Sequence, residues 1–299
     1  MKKTFIIICS IFCLAVNVFA ATITIDRKKP SELDLSFAKT IHFMPVVTSS
    51  KSYAKAEKNL IDLFISEMME NAKKDGKFTV KSSKETYTPE GFDGAADPDV
   101  YLDVKIDDFR VTDNGITIGD DVDKWSRIVG GKFICSVIDA KTKKAIETKE
   151  MKLFEQEEDV PRAKLQEPDV LSKESVKSFA YVCSTMVFDV VTWAPISIQD
   201  TKSKDKALKQ EMKDTLKILK KKDYETAKAN YEKMYTETND PAAAYNYARL
   251  CEITNDYAKA KEILNELYAA GQDKKLAKTI EEVEKAEADY NLMQKRLGK

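Results

Sequence analysis

The sequence is poor in side chains that carry chemistry. Among 299 residues there is one histidine, His42. It lies in an apolar run that reads as a strand, where a lone histidine serves structure. No group of Cys and His has metal-ligand spacing. A glycine-rich phosphate loop and a Gly-x-Ser-x-Gly elbow are both missing. Charge of one sign is missing too: 49 Lys and Arg stand against 50 Asp and Glu. That balance offers no electrostatic footprint for nucleic acid and no basic face for anionic lipid. Cysteine is scarce. Beyond Cys9 and Cys13 in the N-terminal apolar segment, only Cys135, Cys183 and Cys251 occur. They are far apart and odd in number, so no disulfide framework is implied and buried free thiols are the default. One pair could still be oxidised, and the sequence does not choose which.

What remains of polar clustering is weak. The run from Asp113-Asn114-Gly115 to Asp120-Asp121-Val122-Asp123 supplies oxygen ligands, but its spacing does not match the 12-residue calcium loop, so it reads as a solvated acidic loop. Asp107 and Asp108 are adjacent on a strand and face opposite sides. Gly130-Gly131 reads as a bend where a strand opens. Trp125 and Trp193 are assigned to packing. No catalytic, cofactor-binding or metal site is assigned, and the chain reads as a non-enzyme.

The N-terminus carries the localisation signal. Met1-Lys2-Lys3 is cationic, Thr4 to Phe19 is apolar, and Val18-Phe19-Ala20-Ala21 ends on small residues. This is the grammar of a secretory signal peptide over residues 1–20, cleaved after Ala20 or Ala21. The apolar stretch is short and interrupted, with no stop-transfer pattern, so no membrane span is expected after cleavage. Ile8 before Cys9 and Phe12 before Cys13 are too bulky for lipid attachment, which disfavours a lipoprotein. The expected location is periplasmic or outer-membrane associated.

The mature chain of about 278 residues suggests two domains, and its pattern changes near residue 200. Before that point a mixed α+β domain is expected, in the order β-α-β-β-β-β-α. Thr40 to Val47 is a buried strand. Leu60, Phe64, Met68 and Ala72 recur at helical spacing over 54–74, closed by Asp75-Gly76. Phe78-Thr79-Val80 starts a strand, and 83–99 reads as a loop. Val100, Leu102, Val104 and Ile106 alternate with polar residues, then parity shifts to Phe109 and Val111, which a bulge at Asp107-Asp108 repairs. Residues 126–138 and 145–154 form a hairpin about the turn 139–144. A second helix is expected over 171–193, with Ser172 as N-cap.

Several short segments of this half resemble, in order, the CsgG-type envelope domain of the curli-secretion lipoprotein and of lipoprotein activators of peptidoglycan synthases. They are Lys39 to Pro45, Gly76-Lys77-Phe78-Thr79-Val80, Ala96-Asp97-Pro98-Asp99-Val100-Tyr101-Leu102 and Val137-Ile138-Asp139-Ala140-Lys141-Thr142. The resemblance covers about residues 22–198. It implies an envelope setting and a mixed sheet with packing helices. It does not extend to a pore, because the chain lacks the lipid-attachment motif and the connection 112–125 reads as too short and polar for membrane-spanning hairpins. The family includes rings and monomers, so a homo-oligomer stays open.

Residues 199–206 read as a linker, and 207–299 as helical. Asp223-Tyr224-Glu225-Thr226-Ala227 recurs as Asp256-Tyr257-Ala258-Lys259-Ala260, a period of 33 residues. This resembles the tetratricopeptide repeat, whose usual period is 34. Asn239-Asp240-Pro241 breaks the two copies, and about 273–297 resembles the solvating cap of such arrays. The resemblance maps groove-facing positions onto Tyr245, Arg249 and Glu252, and onto Met212, Leu216 and Lys220 in the first copy. Either this surface is a peptide-binding groove or it packs on the N-terminal domain. The leading expectation is an exported, non-enzymatic adaptor or assembly factor whose partners are other envelope proteins. A regulator of a cell-wall synthase, or an accessory part of an outer-membrane secretion system, is the alternative.

Overall fold

The computed structural model describes residues 19–91, 97–118 and 122–296. The apolar leader, with Cys9 and Cys13, lies outside the described residues up to position 18. Eight strands and eight α-helices follow: β1 (Phe19–Lys29), β2 (Thr40–Phe43), α1 (Ala54–Asp75), β3 (Thr79–Lys81), β4 (Thr86–Tyr87), β5 (Val100–Ile118), β6 (Val122–Asp139), β7 (Ala145–Val160), α2 (Pro168–Leu171), α3 (Lys173–Val187), β8 (Val190–Gln199), α4 (Lys206–Lys220), α5 (Tyr224–Thr238), α6 (Pro241–Ile253), α7 (Tyr257–Gly271) and α8 (Lys274–Arg296). The architecture is a mixed-sheet α+β unit and a run of tetratricopeptide-like helices. Among the described residues no helix is long and apolar enough to cross a membrane.

The chain divides into residues 29–190 and residues 1–28 with 191–299. This differs from the boundaries read in the sequence, 22–198, 199–206 and 207–299. β1 and β8 form a two-stranded sheet of their own. Their inward Ile23, Ile25, Ile196 and Ile198 join the buried cluster of the helices. The expected linker is a short coil tied down by a hydrogen bond from Thr201 Oγ1 to Asp240 Oδ2.

In the α+β unit the sheet order is β4-β3-β2-β5-β6-β7, with β2 parallel to β3 and β5 and the other pairs antiparallel. The alternation along β5 buries Val100, Leu102, Val104 and Ile106. The register then slips between Asp107 and Arg110, and Asp108 takes φ 54°. Phe109 is thereby buried, which is the parity repair the sequence called for. α1 buries Leu60, Phe64, Met68 and Ala72, and Gly76 closes it at φ 72° with its N–H on Ala72 O. Phe64 of α1, Phe133 of β6 and Phe179 of α3 meet pairwise with ring centroids 5.0, 5.7 and 5.6 Å apart. Three rings from two helices and one strand fix the helices on the sheet.

Several local expectations fail. The helix expected over 171–193 is α2 plus α3 and ends at Val187. Phe188 turns extended, and the β-branched Val190-Val191-Thr192 begins a strand instead. Ser172 holds the N-cap position of α3 as expected but makes no side-chain cap bond. The segment 83–99 contains β4. The connection 112–125 is not a loop: β5 and β6 run through it as paired strands, so shortness is no argument there. Thr112, Asp113, Asn114 and Lys124 there are polar, and Arg127 Nε and Nη2 donate to Asp113 at 2.7 and 2.8 Å. That guanidinium holds the Asp113 carboxyl below its usual range. Gly130-Gly131 sits mid-strand opposite the bulge, where a Cβ on Gly131 would lie 3.3 Å from Asp107 O. Trp125 stacks under Arg162 at 4.6 Å, whereas Trp193, also assigned to packing, is 80% exposed.

Candidate protein-binding site

The helical unit repeats in its backbone as well as its sequence. Lys222 and Asn255 take φ 65° and 63°, and Asn239 and Gln272 take 51° and 49°, each pair 33 residues apart. An aspartate follows each left-handed residue. Asp223, Asp240 and Asp256 accept hydrogen bonds from the first-turn N–H groups of α5, α6 and α7. Asp273 does the same for Lys275 N at 2.8 Å. A left-handed residue ends one helix and an aspartate starts the next, so the turns have fixed geometry. Ala227, Ala248 and Ala260 are fully buried, which lets the helices approach closely.

The six groove positions taken from sequence do not form an open surface. Tyr245 is 4% exposed and Arg249 and Glu252 are each 2% exposed. Met212 is buried, Leu216 half-buried, and Lys220 exposed at the last residue of α4. On α6, Arg249 Nη1 lies 3.0 Å from Glu252 Oε2, and its Nη2 lies 3.8 Å from Glu282 of α8. The other Glu252 oxygen takes the Arg27 guanidinium of β1. The Arg249–Glu252 approach is a charge pairing without hydrogen-bond angles, so Arg249 Nε and Nη1 and Glu252 Oε2 carry no directed hydrogen bond. Burial raises the Tyr245 phenol above its usual pKa, partly offset by the Arg249 charge and a hydrogen bond with Thr279.

One turn away, Asn246 is fully buried and holds the end of β8 in a two-point grip. Its Oδ1 accepts from Gln199 N at 2.8 Å and its Nδ2 donates to Gln199 O at 2.8 Å. A side-chain amide bonded to both polar groups of one residue satisfies an extended backbone as a neighbouring strand would. The inner helices therefore bind extended chain, and the chain they hold is their own. The partners seen at these positions lie within the same unit: Arg27 of β1 for Glu252, and Thr279 and Glu282 of α8 for Tyr245 and Arg249.

The sequence reading did not assign Asn246, Gln199 or Arg27 to the site. The available signal was period-two alternation: Ile23, Ile25 and Arg27 before the α+β unit, and Ile196 and Ile198 after it. Elsewhere little gathers. The three described cysteines are free and buried. Cys135 and Cys183 touch each other, which together with burial raises the Cys135 thiol. Burial pushes the Cys251 thiol up to about 11. His42 is half-buried on β2 and depressed by burial and the charge of Lys81. Among the described residues no group of three or more His, Cys, Asp and Glu could hold a metal.

Residues 219–281 match the tetratricopeptide repeat family. No curated protein matches the chain. Among solved structures, a minor lipoprotein from Acinetobacter baumannii is 11% identical, with a TM-score of 0.26, covering 50% of this chain and 91% of that one. The PelC dodecamer from Paraburkholderia phytofirmans is 9% identical, with a TM-score of 0.27, covering 55% and 98%. The rare lipoprotein B from Shewanella oneidensis is 17% identical, with a TM-score of 0.23, covering 49% and 88%. At these scores the likeness does not fix a common fold. The class the helical unit defines over residues 219–281 is tetratricopeptide-like, a repeat type that suggests protein–protein interaction.

Proposed function

We propose that this chain is an exported, non-enzymatic envelope protein that works as an adaptor or assembly factor, binding other proteins through its helical unit. The observation that carries the reading is the tetratricopeptide module whose inner face grips extended backbone through Asn246. Export rests on the leader grammar of residues 1–20, and the envelope setting also on the ordered CsgG-type segments between Lys39 and Thr142. Those segments also favour the second reading, a regulator of a cell-wall synthase; purified protein that leaves synthase activity unchanged counts against it.

Cell fractionation with N-terminal sequencing tests the setting. The expected product begins at Ala21 or Thr22 in the envelope fraction, and cytoplasmic protein retaining Met1 refutes it. In-cell photocrosslinking from position 193 tests partner binding, since that side chain is 80% exposed. A discrete crosslinked protein that is lost without crosslinker activation is expected. Only diffuse or absent products would reject the adaptor role.

A further inference from the structure

The geometry points to a strand-acceptor site on the helical unit, filled in cis by β1 and open in trans to a partner segment of the same chemistry. The ligand is an extended stretch of protein with the pattern Ile-x-Ile-x-Arg, as in Ile23-Thr24-Ile25-Asp26-Arg27. This deepens the reading of the helical unit as a protein-binding module and rests on it.

Two observations carry the inference. First, β1 is topologically foreign to its unit. The rest of that unit is residues 191–299, and β1 belongs to it across the whole span 29–190. A strand supplied from so far along the chain makes the contacts of a ligand, tethered rather than contiguous. Second, recognition is chemically specific. Ile23 and Ile25 are buried among the helices while Thr22, Thr24 and Asp26 are exposed. Two positions on, Arg27 meets the buried Glu252, and a buried carboxylate demands a basic partner. Alternate side chains provide specificity and the pairing with β8 provides backbone bonds, which is the logic of strand addition.

The tether sets the energetics of exchange. A segment joined to its site acts at a high effective concentration, and separating it lowers apparent affinity by about a hundredfold or more. A partner bearing the motif must therefore compete with β1, so a free N-terminal strand regulates access.

The test uses the full chain with a protease sequence inserted between Lys28 and Lys29, cut only after folding. The probe is a fluorescent peptide of the sequence Ala21-Thr22-Ile23-Thr24-Ile25-Asp26-Arg27-Lys28-Lys29. The cut chain is expected to take up one peptide, and the uncut chain to bind about a hundredfold more weakly. An Arg27→Ala peptide should lose about ten- to a hundredfold in affinity, as should the Glu252→Gln chain with the parent peptide. A second chain, Ile23→Asp/Ile25→Asp, vacates the site without a cut and should bind the peptide as the cut chain does. Loss of helical circular dichroism on cutting would overturn the inference, because β1 would then be part of the fold. So would absence of uptake by both the cut chain and the double variant, or uptake indifferent to Arg27. All arms use purified protein, so failure of the export reading leaves the result intact.

Discussion

Replacing Asn246 by alanine should cost the helical unit about 3 kcal/mol. The number follows from the two-point grip on Gln199. Two hydrogen bonds of 2.8 Å are lost, each worth about 1 kcal/mol net. Both polar groups of the Gln199 backbone are then left without partners in a buried setting, at about 1–3 kcal/mol each if water cannot reach them. β8 ends at Gln199, so the chain there can shift and recover part of this, which places the expectation near 3 kcal/mol rather than above it. With a urea dependence of about 1–3 kcal/mol per molar, the transition should move down by about 1–3 M. The assay is urea unfolding followed by helical circular dichroism, with Asn246→Asp alongside. The aspartate keeps the acceptor for Gln199 N but turns an oxygen toward Gln199 O, so it should be no more stable than alanine. A shift below about 0.3 M for both variants would refute the grip as a source of stability.

Other perturbations test other parts of the fold. Phe133→Ala removes the ring shared by Phe64 and Phe179 and should cost the α+β unit about 3–5 kcal/mol, read as a lower unfolding midpoint. Asp99 accepts from Lys39 N at 2.7 Å and from Thr40 N and Oγ1 at 3.0 Å each. Burial raises this carboxyl, but the donors outweigh burial and its pKa is lowered. Its contribution is therefore full above the unfolded value near about 4 and fades as pH falls through the lower folded value. The stability gap between wild type and Asp99→Asn should accordingly be about 1–3 kcal/mol at neutral pH and shrink as pH falls through the lowered folded value. Gly115→Val drives a Cβ to 2.9 Å from Trp125 Cζ2, so the indole must leave its place and a tryptophan emission shift should report it. Cys251, with its thiol at about 11, should be about 0.1% thiolate at pH 8 and react with a disulfide reagent only after denaturation. Fast labelling of Cys251 in the native protein would contradict its burial.

Where the sequence was legible, a local rule had one solution. The alternation of Val100, Leu102, Val104 and Ile106, interrupted before Phe109, admitted only a bulge, and the register slips there. The i+4 stripe of α1 and the glycine at position 76 defined a helix and its end. The 33-residue recurrence was visible because small residues and capping aspartates are needed at fixed points of each turn. Elsewhere two rules competed. The run Val176 to Val191 keeps a helical rhythm, but its last part is β-branched, and pairing with β1 decided for strand. Residues 112–125 look like a loop because they are polar. A paired strand with water on both faces is polar too, and cross-strand pairs such as Arg127 with Asp113 then hold it.

The candidate site shows why a repeat pattern locates a groove without saying what fills it. The positions of Tyr245, Arg249 and Glu252 follow from helix geometry, which the repeat encodes within about 30 residues. The partner that completes the pairing of Glu252 is Arg27, which lies more than two hundred positions earlier. No window on the helices contains that information. It is nevertheless written in the choice of residues. A surface groove gains nothing from a glutamate three residues after an arginine with both withdrawn from water, because removing two charges from solvent is unfavourable unless further partners meet them. A charge-bearing inner helix paired with a distant apolar-alternating strand that ends in arginine is thus a joint signature. Each half alone reads as solvated surface or as an edge strand, and only together do they require each other. On this argument, Arg27→Ala should destabilise the helical unit more than Lys28→Ala, although Lys28 is its exposed neighbour on the same strand. The gap should be about 2–4 kcal/mol, since losing Arg27 leaves Glu252 with Arg249 alone in a buried site. Equal urea midpoints for the two variants would mean that the buried pairing does not hold β1, and the strand would then be seated by its isoleucines alone.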